Sequence, residues 1–220
     1  MNQYRYINIG NVTMCLFGEQ DLISDSIVNS HTFWENDRFE AWKHHFPTSG
    51  LMLDIGGNIG NHSLMFHNSF PDLKIWAFEM SFKNFDLLKR NIAPYPQITG
   101  FNVALSDATK VIQYDNSIDH NNGGIGIKSE GTYSNLAIPL DSLNITEPVL
   151  FVKIDIEGHE LQAYRGMTNI LVRDKPVIWA EDFVKSGYVQ GESSIDYLLS
   201  LGYEIIDNIE VDFLLKHKDI

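Results

Sequence analysis

The chain has 220 residues, 44% of them hydrophobic and 20% charged, ordinary values for a globular protein with room for one domain and a terminal extension. A formal net charge of −13 with no Lys/Arg run opposes a broad nucleic-acid interface, and none is expected. The apolar runs are only strand-length, so no membrane span is expected. The single cysteine, Cys15, excludes an internal disulfide and, with a start that lacks a signal-peptide pattern, fits a cytoplasmic protein.

Residues 1 to about 25 alternate loosely, from Tyr4 to Leu16, and predict a short hairpin or edge strands. Ser30 to Glu35 open an expected helix whose aromatic residues Phe33, Trp34, Phe39, Trp42 and Phe46 recur at roughly helical spacing. That helix is read as packing over a sheet edge, with a wall over a substrate pocket as the alternative. We place an N-terminal extension at residues 1–48 and the main domain at 49–220.

From residue 51 onward strand and helix patterns alternate. Strands are expected at 51–55, 75–79, 99–103, 149–154 and 176–181. Helices are expected at 60–69, 81–92, 158–171 and 193–201. This order predicts an α/β fold with a mostly parallel sheet and helices on both faces. Ser81 is placed to cap the second of these helices, and Ser193 and Ser194 the last. The polar, glycine-rich segment 108–140 is too long for a plain loop and is expected to carry short strands of its own. Tyr203–Asp207 and Val211–Lys216 are separated by three residues, too few for a crossover helix, so they form an antiparallel hairpin.

The strand at 51–55 runs into Asp54-Ile55-Gly56-Gly57-Asn58-Ile59-Gly60, a glycine turn leading directly into a helix. Such a turn lets a ligand approach the backbone and the open amides of the helix start. The glycine spacing is not the G-x-G-x-x-G of a dinucleotide site. Its D-x-G-x-x-x-G form resembles motif I of the S-adenosylmethionine-dependent methyltransferases. Glu79 ends the next strand about 20 residues on, where an acid accepts from ribose hydroxyls.

The stretch Lys153-Ile154-Asp155-Ile156-Glu157-Gly158-His159-Glu160 makes the resemblance specific. It is similar to the K-I-D-V-E-G-x-E signature of the FkbM-type methyltransferases. Asn102–Asp107, Ile138–Leu143 and Trp179–Glu181 match further blocks of that family in the right order. The resemblance covers about residues 50–182, with Gly57 where Ala is commoner and His62 and His159 at variable positions.

It implies a Rossmann-like class I methyltransferase fold, a seven-stranded sheet ending in an antiparallel hairpin, and S-adenosyl-L-methionine as cofactor. Asp54, Gly56, Gly57, Asn58 and Gly60 are then expected around the amino-acid tail, Glu79 at the ribose, and Ser106 with Asp107 beside the adenine. Asp155 borders both cofactor and acceptor. A hydroxyl acceptor needs a base; Asp155 and His159 are the first candidates and Glu157 the third. Against this, Glu157 and Glu160 could cap a helix and His159 could sit at the surface. The acids could also ligate a divalent ion; the resemblance requires none, and no metal ligand is assigned.

The expected reaction is O-methylation of a sugar, glycolipid or polyketide-like small molecule. N-methylation, protein methylation and a non-catalytic S-adenosylmethionine-binding module are the alternatives. The acceptor site is expected from residues 25–46, 108–140 and 182–192; acceptor identity and oligomeric state are left open.

Overall fold

The computed structural model describes residues 3–116 and 120–220; positions 1–2 of the expected hairpin and 117–119 of the expected insertion lie outside the described residues. Strands β1 (Tyr4–Ile9) and β2 (Val12–Phe17) form the expected antiparallel hairpin. Helix α1 (Leu22–Ser30) follows, where the sequence reading had placed only the end of that hairpin. Its signal is a cap: the Asp21 carboxylate accepts from the Ser24 N–H at 2.9 Å. The helix expected to open over Ser30–Glu35 does not. His31 and Glu35 are left-handed, with φ of 56° and 61°, and α2 (Asn36–Trp42) starts only after them.

The central alternation runs as β3 (Gly50–Ile55), α3 (Asn61–Ser69), β4 (Leu73–Phe78), α4 (Phe82–Ile92) and β5 (Ile98–Phe101). Ser81 caps α4 as expected, accepting from the Asn84 N–H. The segment after β5 carries β6 (Ala104–Leu105), β7 (Lys110–Tyr114) and β8 (Tyr133–Ile138), which form a separate small sheet in the order β6-β8-β7. Then come β9 (Val149–Ile154), α5 (Glu160–Arg165), α6 (Thr168–Asp174), β10 (Val177–Glu181), α7 (Ser194–Ser200), β11 (Tyr203–Ile209) and β12 (Asp212–His217). The large sheet has seven strands in the order β11-β12-β10-β9-β3-β4-β5. Pairings from β5 to β10 are parallel, and β12 is antiparallel to both of its neighbours. The terminal hairpin is therefore as expected, with a shorter turn at Glu210–Val211 than the residues 208–210 read from the sequence.

Apolar side chains from α2, α3, α4 and the β1–β2 hairpin cover one face of the sheet, and those of α5, α6 and α7 cover the other. Phe33, Phe39, Trp42 and Phe46 of the extension are buried in the first of these layers. No helix among the described residues is long and apolar enough to cross a membrane.

The helix expected over 158–171 is two helices, broken at Gly166–Met167. The cause is tertiary. A Cβ on Gly166 would lie 1.9 Å from the Ser106 carbonyl oxygen, so the chain bends where it passes against the end of β6. Gly166→Ala must push β6 and this junction apart, and overpacking of that kind costs about 1–3 kcal/mol. A denaturant titration should show a lowered midpoint with an unchanged slope; an unchanged midpoint would mean the junction yields freely.

Candidate functional site

A cleft of about 440 Å³ opens at the carboxyl ends of β3, β4, β9 and β10. Gly56 and Gly57 bend the chain over its floor, and both donate to the Phe78 carbonyl at 2.9 Å. Gly56 has φ of 87°, and a Cβ there would sit 1.8 Å from the Asp155 carbonyl oxygen, so only glycine fits. Asn58, at φ of 48°, donates its N–H to Glu79 Oε2 at 2.8 Å, and Gly60 donates to Gly57. The turn's amides are thus largely spent within the protein. The open donors lie just beyond, in the first turn of α3, where no side chain caps the helix.

Asp54 lies behind the turn, accepting from the Ser63 hydroxyl at 2.5 Å; its Oδ1 is buried with no partner among the described residues. Gly60 likewise stands behind the cleft wall. Glu79 lines the cleft, with Oε1 accepting from the Ser81 N–H at 2.7 Å. Burial, then the charges of Asp54 and Asp155, push its carboxyl up to about 7 despite two backbone donors.

His159 borders the cleft, but its Nε2 is 2.9 Å from Ser106 Oγ. The Ser106 hydroxyl donates to Asp107 at 3.0 Å, so the imidazole is the donor in the first contact. Burial, then Lys110, lowers the His159 pKa. Asp107 pairs with Lys110 at 3.1 Å. Ser106 and Asp107 therefore stand behind Leu105, which forms the wall itself.

Asp155 and Glu157 do meet in the cleft, joined by Glu181, their oxygens within 4.8 Å of one another. Glu181 is raised well above the usual carboxylate range, first by burial and then by Asp155, with Lys153 opposing. Glu157 reaches solvent, yet lost hydration and then Asp155 and Glu160 push it up to about 7. The positive charge of this corner is Lys153, whose Nζ lies 3.5 Å from Asp155 Oδ2. Glu160 instead turns inward and accepts from the N–H groups of Ile156 and Gly158.

The wall opposite comes from the aromatic segment, for which a wall over the pocket was the alternative reading. Asn61, the first residue of α3, exchanges two hydrogen bonds with the backbone of Trp34, at 2.9 and 3.1 Å. Trp34 and Glu35 of the extension thereby line the cleft, so the aromatic segment both packs and forms a wall. Glu35 Oε2 is 2.9 Å from His62 Nε2 and 4.0 Å from Lys153 Nζ. Burial alone would raise Glu35; Lys153, the His62 contact and Arg38 outweigh it and hold the carboxyl down at about 2. His62, in the first turn of the motif helix, is the partner that ties Glu35 to that helix. The insertion closes the roof: Asp21 Oδ1 accepts from both nitrogens of Asn122 at 3.0 Å, setting Gly123, Gly124 and Ile125 over the cleft. Phe183 flanks the mouth.

A family model described as the methyltransferase FkbM domain matches residues 54–205. Hexuronic acid methyltransferase AglP of Haloferax volcanii is 31% identical over 126 residues, which cover 55% of this chain and 51% of that protein. Among solved structures, methyltransferase FkbM from Methylobacillus flagellatus KT has a TM-score of 0.57 at 20% identity, covering 78% of this chain and 44% of that one. PH0793 from Pyrococcus horikoshii has a TM-score of 0.57 at 11% identity, covering 98% and 72%. The chain thus spans about half the length of AglP and of the Methylobacillus protein. The structural likenesses carry the class I methyltransferase fold.

The raised carboxyls set a pH dependence. Glu79 and Glu181 hold protons in the folded chain that an unfolded chain releases above about 4.5, so stability falls as pH rises from there through 7. Glu35 acts oppositely: its contribution is complete above about 4.5 and is lost as pH falls toward 2. The cofactor-free protein should melt at a higher temperature at about pH 5.5 than at about pH 8. A melting temperature that rises across that interval would contradict the assignment.

Proposed function

We propose a sugar or glycan oxygen as the methyl acceptor of a chain that belongs to the FkbM methyltransferase family and uses S-adenosyl-L-methionine. The observation that carries this reading is the acceptor side of the cleft, where Trp34 and Phe183 stand with Glu35, Asp155, Glu157 and Glu181. Carboxyl groups accept hydrogen bonds and, where protonated, also donate one, which suits a ligand rich in hydroxyls, and aromatic faces suit the C–H faces of a pyranose. The hexuronic acid methyltransferase relative supports a sugar acceptor.

S-adenosylmethionine supplies an electrophilic methyl group on a sulfonium sulfur. The first-turn amides of α3, with the helix dipole behind them, take the carboxylate of its amino-acid tail. Asp54 tethers β3 to α3 through Ser63 and holds the Gly56–Gly60 turn in shape. Glu79, which lines the cleft, would receive the ribose hydroxyls. Leu105, backed by Ser106, Asp107 and His159, walls the adenine. Asp155 takes the proton of the acceptor hydroxyl; His159, donating to Ser106, supports the cofactor side instead.

No Lys or Arg is among the residues described as lining the cleft, which also favours an amine as a second acceptor class. A cytoplasmic location and the absence of a nucleic-acid partner belong to the same proposal, on the single Cys15 and the net charge of −13.

A screen of alkyl glycosides of neutral hexoses, hexuronic acids and amino sugars, with labelled S-adenosylmethionine, tests the acceptor. Methyl transfer to an oxygen of one of them is expected; transfer to none of the three classes would remove the reading. Glu79→Ala should weaken S-adenosylhomocysteine binding by about 1–3 kcal/mol in calorimetry at about pH 8, above the Glu79 midpoint, because the ribose loses a charged acceptor. Asp155→Asn should lower turnover by about 10²–10⁴-fold while that affinity changes far less. Near-parental turnover would place the base elsewhere.

A further inference from the structure

A lysine in the middle strand of a buried sheet is costly unless its charge is matched. Lys153 is 1% exposed, opposite Trp179 on β10, with its Nζ 5.0 Å from the centre of the indole ring. Its ammonium has no hydrogen-bond partner among the described residues, although it has three protons to give. The nearest charges are Asp155 Oδ2 at 3.5 Å and Glu35 Oε2 at 4.0 Å. An apolar side chain would fill the strand position more cheaply, so packing does not account for a lysine here.

We propose that Lys153 is a positioning residue for methyl transfer: lodged between Asp155 and Glu35, its ammonium holds both carboxylates facing the cleft. The inference rests on the reading of Asp155 as the base. Each element around the array contributes a charge. Glu35 comes from the left-handed turn before α2, itself fixed by His62 of α3, and Arg38 of α2 lies behind it, bound to Asp212 of β12 at 2.7 Å. Glu157, in the turn after β9, and Glu181, at the end of β10, crowd Asp155 from the other side. With more acids than cations in one corner, a nearby ammonium favours the charged form of a carboxylate, and acids without one are pushed toward their protonated form. Asp155 and Glu35 are the two within 4.0 Å. The directions agree: Glu35 is held low, while Glu157 and Glu181 are pushed up.

The test uses the full chain saturated with S-adenosylhomocysteine and carrying ¹³C at the glutamate side-chain carboxyls. In the parent protein the Glu35 resonance should stay at its ionised position down to about pH 4. In Lys153→Gln its midpoint should rise by about 1–3 units, the size expected for loss of a close opposite charge. Lys153→Met provides a second neutral variant should the first fold poorly, and Lys153→Arg, which keeps the charge, should restore the low midpoint. With the glycoside that accepts methyl in the screen, Lys153→Gln should lose about tenfold or more in turnover near pH 7, its acid limb moving to higher pH. An unmoved Glu35 midpoint and acid limb in the neutral variants overturn the positioning role, even where Asp155→Asn abolishes turnover. Parental turnover in Asp155→Asn overturns the base itself, whatever the Lys153 variants do.

Discussion

Strands β3 and β9 lie parallel at the centre of the sheet, in register from Met52 to Ile55, and the Asp155 amide donates to the Ile55 carbonyl at 3.0 Å just where both strands end. The glycine turn and the acid-bearing turn therefore leave the sheet side by side. Their backbones approach so closely that any side chain at Gly56 would strike the Asp155 carbonyl. The same register on the far side of β3 brings Phe78 and Glu79 alongside, with the Phe78 carbonyl accepting both glycine amides. These two pairings of β3 thus set the distance between the group that would hold the cofactor's ribose and the group that would face the acceptor.

The electrostatics follow from that convergence. Ending several strands in acids at one edge gathers Glu79, Asp155, Glu157 and Glu181 around a partly dry cleft, where they repel one another. The protein limits the cost in two ways. Burial and mutual repulsion let Glu79 and Glu181 keep their protons at higher pH, and Lys153 inserts a cation from below. A bound sulfonium adds positive charge to the same space. A corner short of cations is therefore suited to a cationic cofactor, and it is least stable at high pH when that cofactor is missing.

Most features with a local cause could be read from the sequence, and those with a distant cause could not. The Ser81 cap, the terminal hairpin, the small strands of the insertion and the Asp54–Gly60 turn all declare themselves within a few residues. The break at Gly166 does not, because its reason is the Ser106 carbonyl, 60 positions away in the chain. Helix α1 was overlooked because the loose alternation before it was carried past Asp21, the residue that caps it. Glu35 was hidden for a different reason: its left-handed backbone turns it away from the helical stripe that Phe39 and Trp42 follow. His159 borders the cleft, but its hydrogen bond to Ser106 could be known only once the turn after β9 was packed against the end of β6.

These causes divide the cleft in a way that bears on acceptor choice. The cofactor half is made by strand ends between residues 54 and 205, the part of the chain that the family shares. Trp34 and Glu35 lie outside that span, and the loop that roofs the cleft is anchored by Asp21, also outside it. While the aromatic residues of the extension pack into the core of the family fold, its cleft-facing part is placed by three polar links: Asn61 to the Trp34 backbone, His62 to Glu35, and Asn122 to Asp21. A chain could keep all the cofactor's contacts and exchange these for others, altering the acceptor wall while β3 and β9 stay as they are. For that reason the acceptor has to be argued from the residues of this chain's own extension and insertion, and the identity of a relative's sugar reaches only as far as those residues are shared.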